Sequence, residues 1–146
     1  MIKKFLIAAS VAVAITACSS EDVSKPAVVQ DVTAESSNPY AVFLADGTGI
    51  SFNKPAVSDV IREDETSKIR ILTYEFDEEY TDVDSSLSTV LEAASYSRTV
   101  NDASGSYDSS IIYRKQDVSP VLARYKVAAD EEISKKTNLV LSWRFN

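Results

Sequence analysis

The sequence predicts an α+β domain in which an antiparallel sheet of about five strands carries one main helix on one face, and an all-β sandwich is the alternative. Two observations lead to this prediction. Several segments alternate apolar and polar residues with the period of a β-strand, whereas a single segment repeats its apolar residues with the period of an α-helix. The chain has 146 residues, 45% of them hydrophobic, which is enough for one domain with its own core.

The first elements of the predicted domain are strands. Residues 40–46 and 50–53 are β-prone, and the Asp-Gly-Thr-Gly sequence between them is typical of a hairpin turn. Residues 68–76 predict a strand with apolar side chains on both faces, as expected at the centre of a sheet. Between these segments, the spacing of three apolar residues predicts one helical turn, formed by Val57, Val60 and Ile61.

The clearest helix follows residue 83. Asp84 or Ser85 is predicted to cap its N-terminus, because a short polar side chain can accept a hydrogen bond from the first free amides. The helix presents an apolar stripe with the spacing i, i+3, i+4 and i+7, formed by Leu87, Val90, Leu91 and Ala94.

The last part of the chain predicts a loop over residues 101–108 and then three strands, at residues 109–115, 121–128 and 137–145. Residues 130–136 are predicted to form a charged loop or a short helix. The final strand places large apolar residues on one face, and we expect Trp143 to be buried there beneath the helix.

The N-terminus has the pattern of an export signal. Two lysines precede an apolar run over residues 5–17, which ends with the sequence Ile15-Thr16-Ala17-Cys18. At about 1.5 Å per residue this run spans about 20 Å as a helix, less than the roughly 30 Å of a bilayer core.

The sequence around Cys18 resembles the lipobox of bacterial lipoproteins. The resemblance implies cleavage before Cys18, a thioether-linked diacylglycerol on its sulfur, and a further fatty acyl chain such as palmitate on the new amine. Ser19 replaces the aspartate that retains such proteins in the inner membrane, so the resemblance implies an outer-membrane anchor with the domain facing the periplasm. The predicted organisation is a signal peptide (1–17), a lipidated cysteine with a flexible linker (18–39) and one globular domain (40–146).

The linker prediction depends on composition. The segment is rich in Ser, Ala, Val and acidic residues, contains Pro26 and Pro39, and shows no sustained periodicity. The alternative is that three valines of this segment, Val28, Val29 and Val32, add an edge strand to the domain.

Composition argues against most catalytic chemistry. The chain has no histidine and one cysteine, which excludes Cys-His and Ser-His-Asp nucleophiles and disfavours zinc. Asp82, Asp84 and Ser86 have the spacing of a calcium loop, but Leu87 and Ala93 occupy the positions that need glycine and a bidentate acid. We therefore predict no catalytic residue, cofactor or metal, although the 22 acidic residues leave a carboxylate-dependent hydrolase as an alternative.

The sequence favours a binding role. Its net charge of −7 disfavours nucleic acid as a partner. Tyr107, Tyr113 and Tyr125 form a candidate aromatic binding patch. The resulting hypothesis is a non-enzymatic binding or accessory subunit of an envelope system, with another envelope protein as partner. The further alternative is a lipoprotein that binds a small ligand or a glycan.

Overall fold

The computed structural model describes residues 28–33, 38–129 and 135–145, so the predicted signal peptide and Cys18 lie outside the described residues. The described part contains nine strands and one helix. In chain order they are β1 (Gln30–Val32), β2 (Ala41–Phe43), β3 (Gly49–Ser51), β4 (Ser58–Glu63), β5 (Lys68–Phe76), α1 (Tyr80–Ala93), β6 (Ser97–Asn101), β7 (Ser109–Arg114), β8 (Val121–Ala129) and β9 (Lys135–Phe145).

The strands form two antiparallel sheets. The larger sheet has six strands in the order β4-β5-β9-β8-β7-β6, and the smaller has three in the order β1-β3-β2. The predicted α+β class with a mainly antiparallel sheet is confirmed in this coarse form. The expected number of about five strands is wrong, because the sheet has a sixth strand and a separate small sheet lies beside it.

One face of the large sheet forms the core. Leu72 of β5 lies opposite Leu141 of β9, which lies opposite Ala123 of β8, which in turn lies opposite Ile111 of β7. All four side chains in this row are buried. Helix α1 and the small sheet supply the other half of the same core, through the buried side chains Val42, Leu44, Ile50, Phe52, Val83, Leu87, Val90 and Leu91.

Helix α1 buries Leu87, Val90 and Leu91 of the predicted apolar stripe, whereas Ala94 is its partly buried C-cap and the predicted N-terminal cap is wrong. The helix begins at Tyr80, one turn earlier than expected, and Glu79 occupies the cap position without a side-chain hydrogen bond. Asp84 therefore lies inside the helix and is buried against the sheet. At the other end, Ser95 takes a left-handed conformation with φ of 69°, and its amide bonds to the Glu92 carbonyl oxygen.

The helical turn predicted from Val57, Val60 and Ile61 is also wrong. Val60 and Ile61 belong to β4, which pairs antiparallel with β5. The apolar spacing was misleading because all six residues of β4 are exposed, so burial does not impose a period on them. The edge strand β6, which ends at Asn101, where the predicted loop begins, was also missed in the sequence.

The linker prediction is wrong for residues 28–33. Val29 and Val32 are buried, and β1 pairs antiparallel with β3. A Cβ atom on Gly49 would lie 1.9 Å from the Val32 carbonyl oxygen, so the close approach of these two backbones requires glycine. The alternative, in which these valines add a strand to the domain, is the arrangement that the structure shows.

We predict that a chain beginning at Asn38 unfolds more easily than a chain beginning at Val28. Loss of β1 removes two buried valines, which should lower the free energy of unfolding by roughly 3 kcal/mol or more. Urea denaturation of the two chains measures the difference. Equal midpoints would show that β1 contributes nothing to the core.

Candidate functional site

The residues of the predicted aromatic patch do not form a surface. Tyr113 and Tyr125 are completely buried, whereas Tyr107 is partly exposed, and the guanidinium carbon of Arg124 lies over its ring, 5.0 Å from the ring centre. The prediction of an exposed patch is therefore wrong. The alternation of β7 and β8 turns Tyr113 and Tyr125 toward the core, where the helix covers them.

Asp84 is the centre of a buried polar cluster between α1 and the large sheet. The hydroxyls of Tyr113 and Tyr125 each donate to its Oδ1 at 3.3 Å, and Nη2 of Arg98 donates to its Oδ2 at 2.6 Å. The Tyr113 hydroxyl also bonds Ser88 of the same helix at 2.9 Å. These bonds fix the helix on the sheet in one orientation.

The electrostatics of this cluster suit a structural role. Burial raises the pKa of Tyr113 to about 12, against the opposing effect of its bond to Ser88. Burial likewise raises the pKa of Tyr125 well above its ordinary value. Both phenols therefore stay protonated at neutral pH and remain hydrogen-bond donors to the carboxylate. Asp84, Tyr113 and Tyr125 are buried, so they do not form a ligand-binding surface.

A second cluster joins the small sheet to the end of β7. Asp46, in the turn between β2 and β3, accepts bonds from the Thr48 amide at 3.0 Å and the Thr48 hydroxyl at 2.9 Å. Nζ of Lys115 donates to the same carboxylate at 2.8 Å. Burial opposes ionisation of Asp46, but the bonds from Lys115 and Thr48 outweigh it and lower its pKa to about 2.

A groove of about 350 Å³ opens to solvent between the small sheet and the β4–β5 hairpin. We call it the edge groove. Its polar wall comes from core-facing positions of β4 and β5, and its apolar wall comes from the segments that flank the small sheet. The lining residues that carry chemistry are Tyr40, Lys54, Asp59, Arg70 and Tyr74.

An ion pair forms the polar wall of the edge groove. Nε and Nη2 of Arg70 donate to Oδ1 and Oδ2 of Asp59 at 3.1 and 2.8 Å, in a bidentate arrangement. The bond to Arg70 lowers the pKa of Asp59, and the same bond raises the pKa of Arg70. Arg70 also lies 5.8 Å from the centre of the Trp143 ring.

Two aromatic side chains complete the edge groove. Tyr74 is buried to 1% exposure, and its hydroxyl makes no hydrogen bond to any residue in the described ranges. Tyr40 is 41% exposed, and its amide bonds to Oδ1 of Asn38 at 2.9 Å. The Asn38 side chain also donates to Ser51 Oγ at 2.9 Å, which fixes the turn that carries Tyr40.

Strand β4 is the exposed edge of the large sheet beside this groove. It pairs with β5 alone among the described strands, and all six of its residues are exposed. Three of the large hydrophobic side chains exposed in the described structure lie on it or next to it: Val57, Val60 and Ile61.

The described residues contain no group of three or more His, Cys, Asp and Glu side chains arranged to hold a metal ion. Helix α1, the helix of the described ranges, is not long and apolar enough to cross a membrane. The sequence matches no protein-family model, and comparisons with curated proteins and with solved structures find no similar protein.

We predict that Asp46 makes the fold acid-sensitive. Its pKa is lowered from 3.8 to about 2, so its stabilising contribution is complete above pH 3.8 and is lost as the pH falls to about 2. The loss should approach about 2 kcal/mol. Denaturation curves across this range should show a smaller acid-dependent fall for Asp46→Asn than for the unchanged protein. An identical fall in both would contradict the assignment, and Asp102→Asn, on an exposed loop, serves as control.

Proposed function

We propose that this chain is a lipid-anchored envelope subunit that binds a partner protein by adding a strand of that partner to β4. The lipobox resemblance supports an outer-membrane anchor on Cys18, with the domain in the periplasm. The role is binding rather than catalysis. The observation that carries the proposal is the exposed apolar edge strand.

The edge of β4 has the features of a docking strand. The outer backbone groups of an edge strand are free to bond an added strand, and natural proteins usually protect such edges with charge or proline. Val60 and Ile61, on opposite faces of β4, are 43% and 54% exposed. The other edge strand, β6, presents a single large apolar side chain, Val100.

The acidic charges on β4 do not protect this edge, because they are neutralised from within the sheet. Asp59 pairs with Arg70, and Glu63 pairs with Lys68 at 2.7 Å. Both bases belong to β5, so the acids are held toward the sheet. Arg62 forms no ion pair within the described ranges and remains available to a partner.

These side chains define the chemistry of the partner strand. In antiparallel pairing, residues directly opposite one another share a face of the sheet. A partner strand that fits β4 therefore carries an apolar residue opposite Val60 and an acidic residue opposite Arg62, on the same face of the extended sheet.

We predict that a photo-crosslinking residue in place of Val60 forms an adduct of discrete mass in intact cells. Adding Ile61→Lys should abolish the adduct, since a buried ammonium opposes strand addition, and Arg62→Glu should weaken it by repelling the acidic partner residue. Gel mobility and mass spectrometry measure the adduct.

The matched control is the same crosslinking residue in place of Val100, which is 56% exposed on the opposite edge of the sheet. It should give no discrete adduct. Equal crosslinking at the two edges, or insensitivity to Ile61→Lys and Arg62→Glu, would refute docking at β4. An adduct of twice the mass of this chain would show self-association instead.

The anchor is tested separately. We predict that Cys18→Ala abolishes acylation and releases the protein from the membrane fraction, because a thioether to the lipid needs the cysteine sulfur. The midpoint of unfolding should not change, since Cys18 precedes the described domain. Mass spectrometry and fractionation measure the effect, and retention of Cys18→Ala in the membrane would contradict lipidation at this residue.

A further inference from the structure

We propose that the edge groove is a saccharide-binding site, in which one or two sugar rings stack on Tyr40 and hydrogen-bond to Tyr74, Asp59 and Arg70. This site is distinct from the docking edge of β4 and does not rest on it. Asp59 belongs to β4 but faces the groove, on the core side of the sheet.

The Tyr74 hydroxyl is a hydrogen-bond donor in the wall of the edge groove. Its ring packs 4.3 Å from Phe52 and 6.1 Å from Phe76, measured between ring centres, so the side chain is fixed in place. Burial raises its pKa to about 12, while the positive charge of Arg70 acts in the opposite direction. The hydroxyl is therefore a protonated donor that forms no hydrogen bond to a described residue, and it is available to an acceptor on a ligand in the groove.

The Asp59–Arg70 pair indicates a ligand with hydroxyl groups. Its side chains are 46% and 32% exposed, so both ends of the pair are accessible from the groove. Arg70 offers further N–H donors and Asp59 offers further lone pairs, while their charges cancel. A neutral hydroxyl both donates and accepts and can use both partners, whereas an anion would meet the Asp59 carboxylate.

Tyr40 supplies a flat apolar wall. Its ring is exposed, and the Asn38 turn holds it at the mouth of the groove. The apolar face of a sugar ring can stack on such a ring while its hydroxyls reach the opposite wall. The volume of about 350 Å³ is at the lower end of the range for ligand pockets, roughly 300–1,000 Å³, which limits the occupant to a small ligand.

The test uses the full lipidated chain in a detergent without a sugar headgroup. Two series are titrated, glucose with its β-linked dimer and trimer, and N-acetylglucosamine with its β-linked dimer and trimer, while amide chemical shifts are recorded. We expect at least one series to shift the groove residues, with a Kd on the order of 1 mM that improves from one ring to two and not from two to three. Acetate, phosphate and a proline-rich peptide are titrated in parallel.

Two variants of groove residues and two control variants give the proposal its sharpest check. Tyr74→Phe removes the unpaired hydroxyl and keeps the packed ring, so it should weaken saccharide binding by roughly three- to tenfold with an unchanged unfolding midpoint. Tyr40→Ala should weaken it similarly, whereas Phe43→Ala, an exposed aromatic outside the groove, should not. Arg62→Glu, on the face of β4 that points away from the groove, should also leave it unchanged, which separates this site from the docking edge.

The proposal is overturned if neither saccharide series shifts the groove residues, or if Tyr74→Phe and Tyr40→Ala bind as well as the unchanged protein. It is equally overturned if acetate, phosphate or the peptide binds in the groove and the saccharides do not.

Discussion

The pairing of β5 with β9 is the interaction on which the rest of the structure depends. It joins Lys68–Phe76 to the last strand of the chain over nine paired positions, across the helix and three intervening strands. This pairing places β5 inside the sheet, and other elements must bury its core-facing side chains Leu72, Tyr74 and Phe76. The helix and the small sheet bury them. β4 pairs with the other side of β5 and forms the outer edge, because no other described strand pairs with it.

The sequence predicts well the elements in which apolar residues recur with the period of a strand or a helix. β5, β7, β8 and β9 each bury alternate residues, and α1 buries a stripe, so their periods appear in the sequence. β1 and β4 could not be found in this way. β1 has three residues, too few to show a period, and all six residues of β4 are exposed. Each forms a strand by pairing with another segment, and its own sequence does not reveal that pairing.

The candidate site was harder to predict than the fold. The edge groove combines Tyr40, Asp59, Arg70 and Tyr74 from three separate segments, and no spacing in the sequence connects them. Tyr113 and Tyr125, predicted to belong to an exposed patch, instead donate hydrogen bonds to Asp84 inside the core. The sequence does not distinguish an aspartate that caps a helix from one that lies inside the helix and accepts buried hydrogen bonds. The position of Arg98, fourteen residues later, decides between them.

The long-range closure of the large sheet bears on when this protein can fold. Contacts between distant segments form slowly, because the intervening chain must first be brought together. A chain made from its N-terminus lacks the partner of β5 until β9 has been synthesised. For the export proposed above, this order has a useful effect. Because β5 lacks this partner until β9 is made, the nascent chain would remain open for the membrane passage that the proposed export requires, and the sheet would close afterwards.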